Sequence, residues 1–197
     1  MSDHAMIYGV APDLNVKIAA LAARAQALLT AHDADFGRAG AVATHLDDAV
    51  DARDRSERLA LMAAPDGSGG FGPERYAEIT YVAEGADVDP LLSGRPLDVR
   101  DRFRLYLYWG VRRGTDDFGD EAAAFRAALR SRDPDAPGLV TALRLDGHFT
   151  YTDDGGQAWE IEVLIEALDT TFRLIDRQSR EYRHEAALTL SLTGAPL

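Results

Sequence analysis

The sequence predicts an α+β fold in which a mainly antiparallel sheet packs with two or three helices. Two observations carry this prediction. Apolar residues recur at helical spacing near the start of the chain and again around residue 125, whereas the second half alternates apolar and polar residues with a period of two. The predicted order is helix, helix, two strands, helix and then three to five strands, without an internal repeat. Helices and strands grouped in this way are typical of an α+β domain.

The N-terminal third predicts two helices followed by a break. Asp13 is a candidate N-cap for a helix that runs to about residue 31, because apolar residues recur every three or four positions behind it. Residues 45–64 are rich in helix formers and predict a second helix with a solvated centre. Residues 65–73 are dominated by glycine and proline, which predicts a loop between the helical and the strand-forming parts.

Two strands follow this loop. Residues 76–83 alternate, with Ala77, Ile79 and Tyr81 on one side and polar residues on the other. Residues 102–112 alternate more strongly, with an apolar face that includes Trp109. Their opposite face carries a polar and aromatic set: Arg102, Arg104, Tyr106, Tyr108 and Arg112. A half-buried antiparallel pair is the expected arrangement.

The remaining elements are short. A helix is predicted over 118–131, because Phe118, Phe125 and Leu129 lie on one stripe. Residues 139–145 and 148–152 predict two strands, and the sequence Asp-Asp-Gly-Gly at 153–156 predicts a hairpin turn. The chain is then expected to close with four elements: a strand at 157–168, a short strand at 170–175, a loop or helical turn at 176–184 and a strand at 186–192.

The length of 197 residues is enough for one domain with a buried core. We expect a single α+β domain over residues 1–197, with a helix and glycine-rich loop inserted at about 32–75 and a C-terminal extension at about 169–197. No apolar run approaches the roughly 18 residues of a membrane-spanning helix, so we expect an aqueous, reducing compartment.

Composition excludes several kinds of chemistry. The chain has no cysteine, which excludes disulfides, thiolate metal sites and thiol nucleophiles. Lys17 is the single lysine, so a lysine Schiff base or a lysine-dependent phosphate loop is disfavoured. The net charge is −12, with 33 acidic against 21 basic residues, and this balance argues against a protein that grips nucleic-acid phosphates.

Two motifs that suggest cofactors are weak. Residues 67–72 satisfy the pattern G-x-G-x-x-G, but a dinucleotide site needs a strand before it and a helix after it, and the predicted order here is the reverse. The five histidines show no zinc-ligand spacing, and no serine lies in a nucleophile motif. We therefore expect no catalytic, cofactor-binding or metal-binding residues, and no enzyme.

Three glutamates form the first candidate site. Glu160, Glu162 and Glu166 fall on one side of the predicted 157–168 strand, because side chains alternate along a strand. Two interpretations remain open at this point. The glutamates form either an ordinary solvated sheet face or an acidic surface with a purpose.

The second candidate site is the polar and aromatic face of the 102–112 strand. Tyrosines on the outward face of a sheet suit an interface, because they combine apolar area with a hydroxyl group. With the flanking arginines, the set Arg102, Arg104, Tyr106, Tyr108 and Arg112 predicts a surface that contacts a partner. Coverage by a helix of the same chain is the alternative.

The element order is similar to that of the tail terminator (tail completion) proteins of long-tailed bacteriophages and gene-transfer-agent-like particles. In that family an N-terminal helix precedes a β-hairpin, a second helix and a closing strand pair. The stretches that carry the resemblance are residues 14–30, 77–81, 103–107, 121–125 and the run from 139–143 through 149–154 into 159–163. The acidic turn in that last run is its most specific part.

The resemblance implies a structural virion protein and no cofactor. The protein would form a homo-hexameric ring at the head-proximal end of the tail, assembled in the host cytoplasm, that ends tube growth. Its partners would be the tail tube protein and the head-completion (stopper) protein, and DNA would pass through without specific binding. Under this hypothesis Glu160, Glu162 and Glu166 line the channel, because an acidic wall repels phosphate.

Two other functions remain as alternatives. One is a small-molecule-binding or enzymatic α+β domain with a pocket between sheet and helices, lined by Trp109, Phe125 and Trp159. The other is the cap protein of a contractile injection particle, whose mechanical role is nearly the same as that of a tail terminator.

Overall fold

The computed structural model describes residues 12–32, 42–45, 75–87, 99–112, 118–176 and 181–197. The helices in these ranges are α1 (Leu14–His32), α2 (Phe118–Arg130) and α3 (Leu139–Leu145). The strands are β1 (Ala43–His45), β2 (Arg75–Asp87), β3 (Val99–Arg112), β4 (His148–Thr152), β5 (Ala158–Asp176) and β6 (Glu181–Pro196). They form one six-stranded sheet in the order β1-β2-β3-β6-β5-β4. Every neighbouring pair is antiparallel except β1 with β2, so the predicted α+β class is confirmed.

Helix α1 begins as the sequence predicts. The carboxylate of Asp13 accepts a hydrogen bond of 2.9 Å from the backbone N–H of Val16, which satisfies a donor that would otherwise lack an intrahelical partner. Ile18, Leu21 and Leu29 lie on the buried stripe of the helix. This stripe attaches α1 to the sheet.

The three described helices lie on one face of the sheet. Alternate residues of the central strands, such as Leu105, Leu188 and Ile161, are fully buried beneath them in one hydrophobic core. We call the opposite side of the sheet the open face. It carries the other half of each strand, and this division into two faces positions both candidate sites.

The segment 139–145 was expected to be a strand, and this prediction is wrong, because it forms α3. Its apolar residues Leu139, Val140, Ala142 and Leu143 are all buried, at positions that share one side of a helix. A run of seven residues is too short for its apolar pattern to distinguish a buried helix from a buried strand. Gly138 allows the close contact at the start of this helix, since a Cβ there would lie 2.4 Å from the backbone nitrogen of Arg130.

The C-terminal region is also different from the expectation. Residues 170–175 continue β5 rather than forming a separate strand, and residues 181–184 of the expected loop belong to β6. Strand β6 pairs with both β3 and β5, so the stretch 169–197 contributes a central strand of the sheet. A bulge between Ile165 and Ala167 explains the missed continuity, because it shifts the alternation of side chains along β5.

The hairpin at 153–156 is confirmed. The backbone N–H of Asp153 donates to the carbonyl of Gln157 over 3.0 Å, and Gly156 has a φ of +82°, which favours glycine. Hydrogen bonds from the Trp159 indole and the Gln157 backbone lower the pKa of Asp153 below its ordinary value. The turn is therefore held by its own acidic residue.

Several predictions concern residues outside the described ranges. The glycine-rich loop at 65–73, with its motif at 67–72, lies there, and so does the predicted 45–64 helix from residue 46 onward. His45 itself is described, and it lies in β1 rather than at the start of a helix.

Candidate functional site

The two candidate sites lie on the same face of the sheet. Strand β6 separates β3 from β5, and its register places Ser191 opposite Arg102 on one side and opposite Leu164 on the other. Residues in register share a face, so Arg102, Arg104, Tyr106 and Tyr108 of β3 lie on the open face together with Glu160 and Glu162 of β5. Arg112 belongs to β3, but its side chain is outside the described part of the chain.

An ion pair connects the two sets. The Nε atom of Arg102 lies 3.1 Å from the carboxylate of Glu166, across the intervening strand β6. The Arg102 side chain is 49% exposed and that of Glu166 is 26% exposed, so solvent screens the pair. Glu166 is therefore the glutamate of the acidic set whose charge is offset by an arginine.

The other two glutamates are half-buried, and the contacts of Glu162 are weaker. Glu162 accepts a hydrogen bond of 3.2 Å from the hydroxyl of Thr193, and His148 Nε2 lies 3.8 Å from its other oxygen. Leu164, between Glu162 and Glu166 on the same strand, is 50% exposed. This part of the open face combines carboxylates with an exposed apolar side chain.

The tyrosines form a stacked row. The ring of Tyr108 lies 5.8 Å from that of Tyr76 on β2 and 6.3 Å from that of Tyr106, and the guanidinium of Arg183 lies 5.6 Å from its centre. Tyr108 is 5% exposed, whereas Tyr106 is half-buried. Arg104 is exposed and donates to the Tyr106 hydroxyl over 3.4 Å. Arg104 and Tyr106 are thus more accessible than Tyr108, whose ring stacks against those of Tyr76 and Tyr106.

The open face provides charged and aromatic contacts across a broad surface. Its exposed members, Arg102, Arg104, Leu164 and Glu166, are available to a partner, whereas Glu78, Thr80, Tyr108 and Ser191 on the same face are buried. Among the described residues, no three histidine, aspartate or glutamate side chains are grouped so that they could hold a metal ion.

The prediction that Trp109, Phe125 and Trp159 line one pocket is wrong, because the structure does not bring the three residues together. Trp109 and Phe125 meet edge to face at 5.9 Å, and Trp109 lies opposite His184 on β6. Trp159 lies opposite Pro196 instead, 12 residues further along the same strand. At the roughly 3.3 Å rise per residue of a strand, this separation is about 40 Å.

Two polar clusters on the helix side were not predicted. The Nζ atom of Lys17 lies 2.8 Å from the carboxylate of Asp101, and both side chains are buried. Glu121 accepts hydrogen bonds from Arg75 over 2.8 Å and from the Trp109 indole over 2.6 Å. The interruption of an apolar stripe by the single lysine is the sequence signal that could have indicated the first cluster.

The fold and the open face define an α+β protein with helices on one side of its sheet and a charged, aromatic surface on the other. No protein-family model matches the chain, and a search of curated proteins finds no match to it. Within the described ranges, no helix has the length and apolar character needed to cross a membrane.

Proposed function

We propose that this protein is a structural virion component that forms a ring at the head-proximal end of a tail tube. The ring ends growth of the tube and joins the tail to the head-completion protein. The observation that carries the proposal is the open face, which presents an acidic set and an arginine–tyrosine set side by side on β5 and β3. A ring subunit needs such a surface for its neighbours and for the channel.

The element order supports the same proposal. Helix α1, the β2–β3 hairpin, helix α2 and the β4–β5 hairpin follow one another as in the tail terminator proteins that the sequence resembles. Helix α3 departs from that pattern, since it occupies the place of an expected strand. The proposal therefore rests on the order of the elements and on the open face together.

Within this ring, Glu160, Glu162 and Glu166 are proposed to line the channel. Carboxylates on the channel wall repel the phosphates of DNA, so the DNA passes without being held. Glu166 is paired with Arg102, which leaves Glu160 and Glu162 as the main source of this repulsion.

The arginine–tyrosine set is proposed to contact a neighbouring subunit or the tail tube protein. Arg104 and Tyr106 present a guanidinium and an aromatic ring at the accessible end of the stacked row. These residue types are enriched at interfaces, where they combine apolar area with directed hydrogen bonds. Arg102 lies on the same surface, and Arg112 of β3 is proposed to belong to it.

Electron microscopy of the negatively stained, purified protein tests the ring. We expect six-fold rings, alone or stacked on tail tubes, and the double variant Arg104→Glu, Tyr106→Ser should lose them while keeping the circular dichroism spectrum of the wild type. Asn15→Glu is the control, because it introduces a glutamate at an exposed position of α1, outside the open face. Monomers that form no rings in the presence of tail tubes would refute the proposal.

A charge reversal tests the channel. In particles assembled with Glu160→Lys, Glu162→Lys, rings should form but DNA delivery should fall, because cations on the wall retain phosphate. The control variant Asp120→Lys, Asp135→Lys makes the same change in charge at exposed positions on the helix side. Equal delivery by the two variants would show that these glutamates do not line the channel.

A further inference from the structure

Among the described strands, only β4 pairs with the outer edge of β5, and it covers the first part of that edge. Strand β4 pairs with β5 only from Ala158 to Glu162, and one further hydrogen bond of 2.7 Å joins the N–H of Val163 to the carbonyl of Gly147. No strand in the described ranges pairs with the outer side of residues 164–171. This edge exists because β4 has five residues and β5 has 19.

The register identifies the backbone groups that the edge presents. Successive residues of an antiparallel strand direct their N–H and C=O groups alternately to its two sides. The N–H of Val163 points away from β6, so Ile165 and, after the bulge, Leu168 and Thr170 share its orientation. No described residue pairs with these outward groups, so they can serve as donors and acceptors for an added strand.

A groove runs beneath this edge on the helix side. It consists of two adjoining clefts of about 590 Å³ and about 610 Å³, which share Arg130 as a lining residue. Leu168 lines the first cleft and Thr170 lines the second, so both clefts open along the edge of β5. Val140 and the 82% exposed Leu145 add apolar surface from α3.

Four arginines surround the groove. Arg126 and Arg130 extend from α2, Arg132 follows it, and Arg144 lies near the end of α3, and all four are exposed. None of them forms an ion pair with a described residue, although the chain carries a net charge of −12. The local charge of the groove is therefore opposite to that of the whole protein.

We propose that this groove binds an extended acidic segment of a partner protein, which adds to the sheet as a strand beside residues 164–171. The backbone of the edge provides the hydrogen bonds, and alternate acidic side chains of the segment reach the arginines. The proposal goes beyond ring formation and does not depend on it, because a monomer offers the same groove.

Charge distinguishes this partner from two others. Antiparallel pairing of two copies through this edge would bring both arginine groups to the same side of a continuous sheet, where they repel each other. A nucleic acid would use the arginines but not the open backbone edge or the apolar surface of Val140, Leu145 and Leu168. An acidic strand uses all three features.

Fluorescence anisotropy with a labelled peptide tests the proposal on the full chain. The probe is an acetylated nine-residue peptide in which glutamate alternates with valine or threonine. We expect it to bind, and we expect Arg130→Glu, Arg144→Glu to weaken binding by about tenfold or more, because two attractive contacts become repulsive. Arg100→Glu is the control, because Arg100 is a half-buried arginine of β3 that belongs to neither proposed surface, and this variant should bind the peptide as the wild type does.

The contribution of the backbone is tested separately. Thr170→Pro removes an outward N–H from an edge strand, where proline is tolerated, so it should weaken binding while the circular dichroism spectrum is kept. The same peptide N-methylated at the positions that face β5 should also bind more weakly to the wild type, which needs no change in the protein. Undiminished binding of the methylated peptide would overturn strand addition.

Three further outcomes would overturn the proposed partner. The first is equal binding of a peptide with lysine in place of glutamate. The second is tighter binding of a single-stranded oligonucleotide at the same arginines, which would identify a nucleic-acid site. The third is the absence of detectable binding of the glutamate peptide at concentrations up to about 1 mM.

Discussion

Arg102 on β3 and Glu166 on β5 form an ion pair of 3.1 Å that spans the central strand β6 on the open face. Ser191 of β6 lies in register with Arg102 and is 2% exposed. This one contact joins the two surfaces that the sequence marks as candidate sites. Glu160 and Glu162 lie on the same face, nearer the β4–β5 hairpin.

The Arg102–Glu166 pair should add little to stability. Both side chains are partly exposed, so we expect a coupling energy below about 1 kcal/mol in a double-mutant cycle with Arg102→Gln and Glu166→Gln. Urea unfolding of the four proteins measures it. A coupling energy of several kcal/mol would contradict this prediction. It would mean that another molecule, such as a neighbouring subunit, shields the pair from solvent.

The Lys17–Asp101 pair should behave differently, because its side chains are only 1% and 8% exposed. Lys17→Met or Asp101→Asn alone breaks this pair while the other residue stays buried, and should lower the free energy of unfolding by about 3–5 kcal/mol. The double variant Lys17→Met, Asp101→Leu should recover most of this loss, since it buries no charge.

Urea unfolding monitored by circular dichroism tests the Lys17–Asp101 prediction. The single and double variants are compared under identical conditions, with Arg24→Met as the control for a partly exposed arginine that pairs with Asp146. A double variant that is less stable than both single variants would contradict the prediction.

His184 should make the protein less stable in mild acid. Burial lowers the pKa of His184 below its ordinary value, Arg126 lowers it further, and Glu121 opposes them. The unfolded chain therefore binds a proton more readily than the folded chain. The contribution of neutral His184 to stability is complete above the pKa of about 6.5 that the histidine has in the unfolded chain. It is lost as the pH falls from there through the pKa of His184 in the folded protein.

Unfolding measurements at several pH values test this prediction. The urea midpoint of the wild type should fall as the pH drops from about 7 to about 5, and His184→Gln should reduce that fall. His148→Gln, at an exposed position on β4, should retain the wild-type dependence because His184 is still present. The same slope in the wild type and in His184→Gln would exclude His184 as its cause.

Gly119 in α2 and Gly138 at the start of α3 should respond differently to replacement by alanine, as measured by protein stability. Gly138→Ala places a Cβ 2.4 Å from the backbone of Arg130, which should cost about 1–3 kcal/mol of stability. Gly119→Ala meets nothing within 4 Å and lies in the first turn of α2, so it should be neutral or stabilise by up to about 0.5 kcal/mol. Thermal unfolding of both variants measures the difference, and a stable Gly138→Ala protein would rule out the close contact.

Local signals predicted most of the elements correctly. The cap at Asp13, the alternation of β3 and the Asp-Asp-Gly-Gly turn act within a few residues, so each can be recognised from the sequence alone. Helix α3 was missed because its seven residues are apolar in a pattern that suits either structure. Strand β6 was only partly recognised, since the charged residues at its start pair with distant strands.

The candidate sites show the same limit of local sequence signals, which predict the face of one strand but not the contacts between strands. Alternation placed Glu160, Glu162 and Glu166 on one side of β5 and the tyrosines on one side of β3. That these are the same side of the sheet depends on the insertion of β6 between them, which no local pattern contains. The alternation of β3 also does not indicate that Tyr108 is buried, nor that it contacts Tyr76 and Arg183 of two other strands.

The sequence by itself determined the α+β class, the caps, the turn and the face on which each strand carries its polar residues. These properties follow from spacing along the chain and from the preferences of single residues. Only the tertiary structure decided the strand order, the pairing of Arg102 with Glu166, and the groove beneath β5. Each of these depends on contacts between residues far apart in the chain. Such contacts form only when the whole sheet is packed, so a local sequence pattern does not encode them.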